Sequence, residues 1–367
     1  MKVSCTKENL LAGLSLVSRI ASKNLTLPIL GNVLLKTENG ALSLCATNLE
    51  VGVVTRVRGK ISEDGAITVN ARLLAEFVGL LENDRIELET DGAQLRVVGE
   101  TSKTTIRGMS ADDFPIIPTV PREKGVKISA TNLRAGLEQV LFAAAQDATR
   151  PEISGTFVSV TGNTMTLAAT DSYRLAERHL SIEGRPAELV TIIPTRALFE
   201  LARTLPTEGE VEAFIGDTQA LFVSGSAELT TRLVEGKYPD YGQIIPKTTR
   251  TDAHIATDSF IKVVKTASLF VRTGINDISI TLDPDRKAVT VSAANAELGE
   301  HQGSVPAKIH GDAASIVFNY RYLLDGLAAM SGAETVSLGV SDSASPGILK
   351  PLGKEVDYLY LIMPIRQ

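Results

Sequence analysis

Only two of the 367 residues are cysteine, Cys5 and Cys45. Two thiols cannot build a disulfide framework or, alone, a zinc site, and they fit a reducing compartment. Long apolar runs are missing as well: no stretch approaches the roughly 18 residues a membrane helix needs. The opening Met1-Lys2-Val3-Ser4-Cys5-Thr6-Lys7-Glu8 turns polar where a secretion signal would carry its apolar core. A cytoplasmic protein with no membrane partner is expected. A basic excess is also absent. The 37 Lys and Arg face 43 Asp and Glu, a net charge of −6, whereas nucleic-acid binders usually carry a basic footprint. As a whole-chain number, that speaks against a nucleic-acid partner.

Reactive constellations are scarce too. The four histidines are His179, His254, His301 and His310, and no two stand at metal-ligand spacing. Asp171, Ser172 and His179 supply the residue types of a triad, but Ser172 has no Gly-x-Ser-x-Gly around it and reads as part of a turn. Gly347-Ile348-Leu349-Lys350-Pro351-Leu352-Gly353-Lys354-Glu355 resembles a phosphate loop only loosely. It places five residues between the glycines instead of four, Pro351 removes a backbone donor, and Glu355 stands where a metal-binding hydroxyl belongs. Asn24-Leu25-Thr26 is a glycosylation sequon by letters alone, since no secretion signal accompanies it. No metal or cofactor is expected, and a binding or assembly protein is favoured over an enzyme.

What is present is an ordinary globular composition, 44% hydrophobic and 22% charged, in a chain long enough for two to three domains. It is organised as a threefold repeat. Ala46-Thr47-Asn48-Leu49-Glu50 returns as Ala169-Thr170-Asp171-Ser172-Tyr173 and as Ala294-Asn295-Ala296-Glu297. Ile67-Thr68-Val69-Asn70-Ala71-Arg72 returns as Thr191-Ile192-Ile193-Pro194-Thr195-Arg196 and as Ile316-Val317-Phe318-Asn319-Tyr320-Arg321. Phe114-Pro115, Tyr238-Pro239 and Met363-Pro364 are the third set. All three markers keep spacings of 123 to 125 residues.

Each repeat opens with an amphipathic stripe: Leu10, Leu14, Val17 and Ala21 with Leu11 beside them, then Leu133, Leu137, Val140 and Ala144, then Phe260, Val263, Val264 and Ala267. Alternating strands follow, such as Val33/Leu35 and Leu42/Leu44. Asn39-Gly40 between them is a hairpin signal, because both turn positions need positive φ. Asp64-Gly65 and Asp91-Gly92 punctuate the rest. A second helix carries Leu73, Leu74, Phe77 and Leu80, matched by Leu198, Leu201 and Leu205 and by Leu323, Leu324 and Leu327. The joins fall at Pro118-Thr119-Val120-Pro121 and Pro246-Lys247-Thr248-Thr249 and are short and stiff. Domains are expected at 1–120, 121–247 and 248–367.

Helices are expected over 4–23, 71–82, 129–150, 195–205, 257–272 and 320–330. They hold twelve Lys and Arg against eight Asp and Glu, a charge of +4, which leaves −10 for the remainder. On the residues alone two readings stay open. Either the helices share one face that meets a polyanion, or the chain is a three-repeat scaffold or small-ligand protein whose helices never meet nucleic acid.

The sequence resembles the bacterial DNA polymerase III β subunits, the replicative sliding clamps. The likeness covers the whole chain. It is carried by Leu27-Pro28-Ile29-Leu30-Gly31-Asn32-Val33-Leu34-Leu35, by Ala169-Thr170-Asp171-Ser172-Tyr173-Arg174-Leu175-Ala176, by Lys237-Tyr238-Pro239-Asp240-Tyr241, and by Tyr358-Leu359-Tyr360-Leu361-Ile362-Met363-Pro364-Ile365-Arg366. The resemblance implies an α+β chain of three DNA-clamp domains, each with two helices on antiparallel sheets. It implies a head-to-tail homodimer that closes a six-domain ring around double-stranded DNA, without sequence specificity. It implies no catalysis and no cofactor. The partners it implies are the replicative polymerase subunit, the clamp loader and repair proteins that carry a short clamp-binding peptide.

By position, the resemblance makes Lys23, Asn24, Arg72, Gln146 and Arg150 the DNA-facing residues, within a stretch that runs on to Glu152. Asn24, Pro151 and Glu152 depart from the family pattern. It assigns the peptide pocket to Thr170, Ser172, Tyr173, Arg174, Leu175, Pro246, Asn319, Tyr322, Ala344, Pro346, Leu361, Ile362, Met363, Pro364, Ile365 and Arg366. Leu175, Leu361, Met363 and Ile365 are expected to supply apolar lining, and Arg174 and Arg366 to bond groups at the rim. The dimer interface is expected to pair the edge Lys103 to Arg107 with the edge Glu297 to His301. There Lys103 and Arg107 would face Glu297 and Glu300, with Leu269 and Phe270 as apolar contacts.

Overall fold

The computed structural model describes residues 1–21, 26–82, 84–123, 125–147, 149–184, 188–272, 274–353 and 356–366. The chain packs as two compact units. The first holds Met1–Thr131, Ile182–Pro186 and Arg196–Leu233; the second holds Asn132–Ser181, Ala187–Thr195 and Val234–Gln367. Each is built on one antiparallel sheet, of fourteen strands in the first unit and twelve in the second. The middle repeat divides its strands between them. Its strands Val126–Ser129, Glu210–Ile215, Gln219–Ser224 and Ala227–Arg232 enter the first sheet, where Ala227–Thr231 pairs with Val51–Thr55. Its strands Gly155–Thr161, Thr164–Thr170, Arg174–Ser181 and Leu189–Pro194 enter the second, where Arg174–Arg178 pairs with Tyr358–Ile362.

In the first unit the helix Lys7–Ile20 starts at Thr6, whose hydroxyl accepts the Asn9 N–H at 3.2 Å. Leu10, Leu14 and Val17 are fully buried, as the stripe predicts. Gly13 lets the helix lie close on the sheet, since a Cβ there would come within 2.8 Å of Val57 and 2.9 Å of Leu44. The expected start at residue 4 is corrected. Lys2–Thr6 is a strand paired with Arg85–Asp91 and with Gly59–Glu63, so its backbone donors are taken by the sheet. Asn39 and Gly40 both take positive φ, 52° and 74°, in the hairpin turn that joins Asn32–Glu38 to Ala41–Thr47.

The helix Ala71–Leu80 is capped by Asn70, whose Oδ1 accepts the Leu73 N–H. Its buried face is Ala71, Leu74 and Val78; of the expected Leu73, Leu74, Phe77 and Leu80 only Leu74 is buried, with Phe77 half-buried. The buried face meets the helix Lys7–Ile20, and it leaves Leu73 and Leu80 in solvent. Asp64-Gly65 separates the strands Gly59–Glu63 and Ala66–Asn70, and Gly65 is also a point of close approach, where a Cβ would meet the Met1 nitrogen at 2.8 Å.

In the second unit Leu133, Leu137, Val140 and Ala144 are buried as expected, yet the helix ends at Val140. A 3-10 turn Leu141–Ala143 tightens its end, and a separate short helix Pro151–Ser154 follows. The expected helix to 150 is therefore too long. So is the one to 272, since Thr257–Ala267 gives way to the turn Ser268–Phe270. Asn319 caps Tyr320–Ala329 by accepting the Arg321 N–H. Residues 347–352 form a strand, so the segment that loosely resembles a phosphate loop is not a loop there. No described helix is long and apolar enough to cross a membrane.

Candidate functional site

The expected pocket residues gather in the second unit around one tight turn. The chain leaves the strand Thr164–Thr170, turns through Asp171, Ser172 and Tyr173, and returns along Arg174–Ser181. Thr170 donates its hydroxyl to the Arg174 carbonyl at 2.6 Å and accepts the Ser172 N–H at 3.1 Å. Asp171 Oδ1 accepts the N–H groups of Tyr173 and Arg174. These bonds hold Ser172 at a φ of 78°.

Arg174 does not stand at a rim, which corrects the expectation. Its side chain is buried and all three nitrogens are used. Nε donates to Asp171 Oδ2 at 2.9 Å, Nη1 to Asp325 Oδ2 at 2.5 Å, and Nη2 to the Phe142 carbonyl at 2.9 Å. The guanidinium lies 4.6 Å from the Tyr322 ring centre and 5.5 Å from that of Phe142. Burial works against its charge. Tyr360, Asp325 and Asp171 outweigh burial and hold the group above its ordinary pKa.

Leu175 and Leu361 do not line a pocket either. They pair across adjacent strands, have no exposed surface, and form a core with Ala168. Phe157, Tyr241, Ile245, Leu359 and Met363 cover that core. Ile362 and Thr170 are buried as well, and Asn319 is spent as a helix cap.

The accessible surface over this floor is made by others of the expected set. Tyr173 is 63% exposed. Met363, Pro364, Ile365, Pro246, Tyr322 and Pro346 are half-buried, and Ser172, Ala344 and Arg366 are exposed. The Met363 N–H donates to the Tyr173 carbonyl and the Ile365 N–H to the Val317 carbonyl, both at 2.8 Å, so the last segment is tied down. The Ala344 N–H donates to Asp342. Sequence reasoning missed Tyr241, Ile244 and Ile245. The signal available was the apolar pair Ile244-Ile245 before Pro246 in an otherwise polar join.

Of the residues expected to face DNA, Lys23 and Asn24 lie outside the described residues. Arg72 is exposed and donates to Glu76 one helical turn on, at 2.7 Å. Arg150 donates to Ser172 Oγ at 3.0 Å and sits 3.6 Å from Glu152, while Gln146 is exposed. A concavity with three arginines was missed. In the first unit Arg19, Arg196 and Arg203 line a groove of 410 Å³ with Phe199, Val51, Glu50 and Glu200. Arg203 is held to Glu200 at 3.1 Å. These arginines were counted among the helix charges but not singled out.

Two half-open sheet edges carry the expected interface residues. Lys103–Arg107 pairs with Gln94–Val98 on one side; on the other, only Gly108 and Met109 find a partner strand among the described residues. Gly299–Pro306 pairs with Ala288–Asn295, and its other side is taken only from Ala307 onward. Glu297 is corrected. It lies in the hairpin turn before that edge, where Asn295 Oδ1 accepts its N–H, so of the two acids only Glu300 is on the strand. Leu269 is 69% exposed, while Phe270 stacks on His301 of its own chain at 5.6 Å.

Nothing here forms a reactive set. Ser172 Oγ accepts from Arg150, while His179 bonds Thr166 and Glu177, so the triad types do not meet in a relay. Burial pushes the Cys5 thiol up to about 11, far from a reactive thiolate. Among the described residues no three His, Cys, Asp or Glu are grouped to hold a metal ion.

Sequence models of the DNA polymerase III beta subunit match the chain from end to end: the N-terminal domain over 1–118, the central domain over 127–240 and the C-terminal domain over 242–366. The chain belongs to the DNA polymerase III beta subunit family. The beta sliding clamp of Pseudomonas putida is 34% identical over 375 residues and that of Synechococcus elongatus 33% over 374, each across 100% of this chain and at least 99% of the relative. A crystal structure of the sliding clamp from Pseudomonas aeruginosa, bound to griselimycin, superposes with a TM-score of 0.95 at 31% identity, covering both chains fully. As a member of the DNA polymerase III beta subunit family, the chain is a three-domain sliding clamp. It is a non-catalytic processivity factor that works with DNA and a polymerase as a dimeric ring.

Proposed function

We propose that partners dock on the surface made by Tyr173, Tyr241, Ile244, Met363 and Ile365. A short peptide sets one or two apolar side chains there. The partners are the replicative polymerase subunit, the clamp loader and repair proteins. The observation that carries this reading is apolar surface left open above a sealed floor. Leu175 and Leu361 give no surface, while Tyr173, whose carbonyl holds the Met363 N–H, and Ile244, next to the Ile245 that packs on the same core as Met363, stay exposed. Met adapts to varied partners, and each buried apolar anchor contributes about 1.5–3 kcal/mol. Less ordering costs, that places a peptide near micromolar affinity. Met363→Asp tests it on a primed circle with clamp loader and polymerase. Synthesis per binding event should fall at least about tenfold while sedimentation still gives the dimer; undiminished synthesis refutes the reading.

Three finer assignments accompany it. Domain limits fall at 1–120, 121–247 and 248–367. Gln146, Arg150, Arg72 and the groove arginines Arg19 and Arg196 meet duplex phosphates loosely, so that binding is weak, salt-sensitive and sequence-independent. The two open edges join copies head to tail, with Lys103 and Arg107 of one copy near Glu300 of the other. A ring so closed stays on nicked circular DNA and leaves it once the circle is cut. Its place is the cytoplasm, with the chromosome.

A further inference from the structure

The strand Leu189–Pro194 ends the twelve-stranded sheet. It pairs on one side with Gly155–Thr161. On its other side the Ile192 carbonyl accepts the Val234 N–H at 2.9 Å. In an antiparallel strand the N–H and C=O of one residue share a side, and the side alternates. Val190, two residues earlier, therefore turns both its backbone groups outward, and no described strand pairs with them. Its side chain is 71% exposed. Sheet edges are usually blunted by a charge, a proline or a bulge, and Val190-Thr191 carries none of these.

Beside this edge lies a cavity of 450 Å³ lined by Val190, Ile192, Phe157, Tyr238, Tyr241 and Glu177. Register sets its floor: Ile192, Phe157, Ala168 and Glu177 stand opposite one another across four strands and so share a face. The rings of Phe157, Tyr238 and Tyr241 pack edge-on or tilted within 5.3–6.1 Å and form one wall. Charge here is mostly acidic. Glu177 and Asp240 line the cavity, Glu188 and Glu235 are exposed on the adjoining chain, and Lys237 is the one base among these lining and flanking residues. Burial pushes the Glu177 carboxyl up, but hydrogen bonds from His179 and Tyr241 outweigh it, so the group is held ionised. Tyr241 borders both this cavity and the Met363 surface, while Val190, Ile192, Glu177 and Tyr238 belong to the cavity alone.

We propose that this edge and cavity bind an extended basic peptide segment by strand addition. The segment's backbone pairs with Val190. One apolar or aromatic side chain enters the cavity, and flanking Lys or Arg face Glu177, Asp240, Glu188 and Glu235. Main-chain bonds supply affinity in this mode, and alternate side chains supply specificity.

The test uses the full chain and fluorescence anisotropy of a labelled Lys-Val-Lys-Phe-Lys-Val-Lys peptide, with a Glu-Val-Glu-Phe-Glu-Val-Glu peptide as control. The basic peptide should bind in the micromolar range and the acidic one at least about tenfold more weakly. Val190→Pro deletes the outward N–H while leaving the inward ladder intact, and should weaken binding about tenfold. Glu188→Lys with Glu235→Lys, both on exposed residues, should do the same without touching the fold. Equal binding by the Val190→Pro or the double-Lys protein, or equal binding of the acidic peptide, would each overturn the proposal.

Discussion

The turn Thr47–Val51 in the first unit and the turn Thr170–Arg174 in the second are the same backbone device ending in different side chains. In both, a threonine hydroxyl donates to the carbonyl four residues on, at 2.9 and 2.6 Å, and accepts the N–H two residues on. In both, Asn48 or Asp171 caps the next two N–H groups, and the residue between, Leu49 or Ser172, takes a φ near 77°. The fifth residue differs. Arg174 enters its unit and joins three segments through Asp171, Asp325 and the Phe142 carbonyl. Val51 is buried without any such bond, beside a groove that stays open. Glu200, 125 residues before Asp325, turns to Arg203 on its own helix. The duplication kept the turn and exchanged an internal ion-pair clasp for a concavity with three arginines. The clasp sits under the surface proposed for partners and the concavity among the helix arginines.

Removing the clasp should have the largest effect. Arg174→Val makes the second turn like the first. It strands Asp171, which is mostly buried, and frees Asp325, which is half-exposed. Taking one partner from a buried ion pair costs about 3–5 kcal/mol, and the exposure of Asp325 points to the lower end. The urea midpoint should fall accordingly. A loss below about 0.5 kcal/mol, typical of surface changes, would show that Arg174 is no clasp and that the two turns do not differ in the way argued.

The shared part of the device should be worth the same in both places. Thr47→Val and Thr170→Val each remove one buried hydroxyl that donates once and accepts once, and leave the N–H of Leu49 or Ser172 unmatched, while the Val51 and Arg174 carbonyls keep the backbone N–H of Asn48 and Asp171. Each should cost about 1–3 kcal/mol, and the two losses should agree within about 0.5 kcal/mol because the two hydroxyls make the same bonds and, being distant, act independently. A Thr170 loss far above the Thr47 loss would mean that the turn is coupled to the clasp.

Both the repeat and the apolar stripes were legible because periodicity reports burial directly. Leu10, Leu14 and Val17, and later Leu133, Leu137 and Val140, are buried as their spacing requires. Asn39-Gly40 was legible because few residue pairs accept its φ values. Arg174 was not, since its carboxylate partner Asp325 is 151 residues away and nothing local marks the pair. Leu175 and Leu361 are alike in this: each reads as apolar, and only the pairing of their strands shows that they seal each other. Leu73 and Leu80 read as core and stand in solvent, because a stripe does not say which neighbour will cover it. Nor could the division of the middle repeat between two sheets be read, since strand partners come from other repeats.

The smallest expected effect separates the two units by pH. His179 and Arg56 stand 123 residues apart and each faces a carboxylate. His179 lies 3.3 Å from Glu177, and Arg56 lies 2.9 Å from Glu228. The hydrogen bond to Glu177 raises the imidazole above 6.5, with burial opposing it. A folded pKa above the unfolded one means that the charged pair adds stability. That gain is fully present below about pH 6.5 and is lost as pH rises through the raised value. Glu177 is held below 4.5 and contributes from the other end, above about 4.5, losing its share as pH falls through its lowered value. The Arg56 pair has no such upper limit near neutrality, because a guanidinium stays charged. Stability should therefore decline slightly from pH 6.5 to 8, by less than about 1 kcal/mol since His179 is partly exposed. His179→Gln should flatten that decline, and Arg56→Gln should leave it in place. If urea midpoints across this range fall equally in the His179→Gln protein, the pH dependence belongs to other groups and the second unit carries no histidine-linked term.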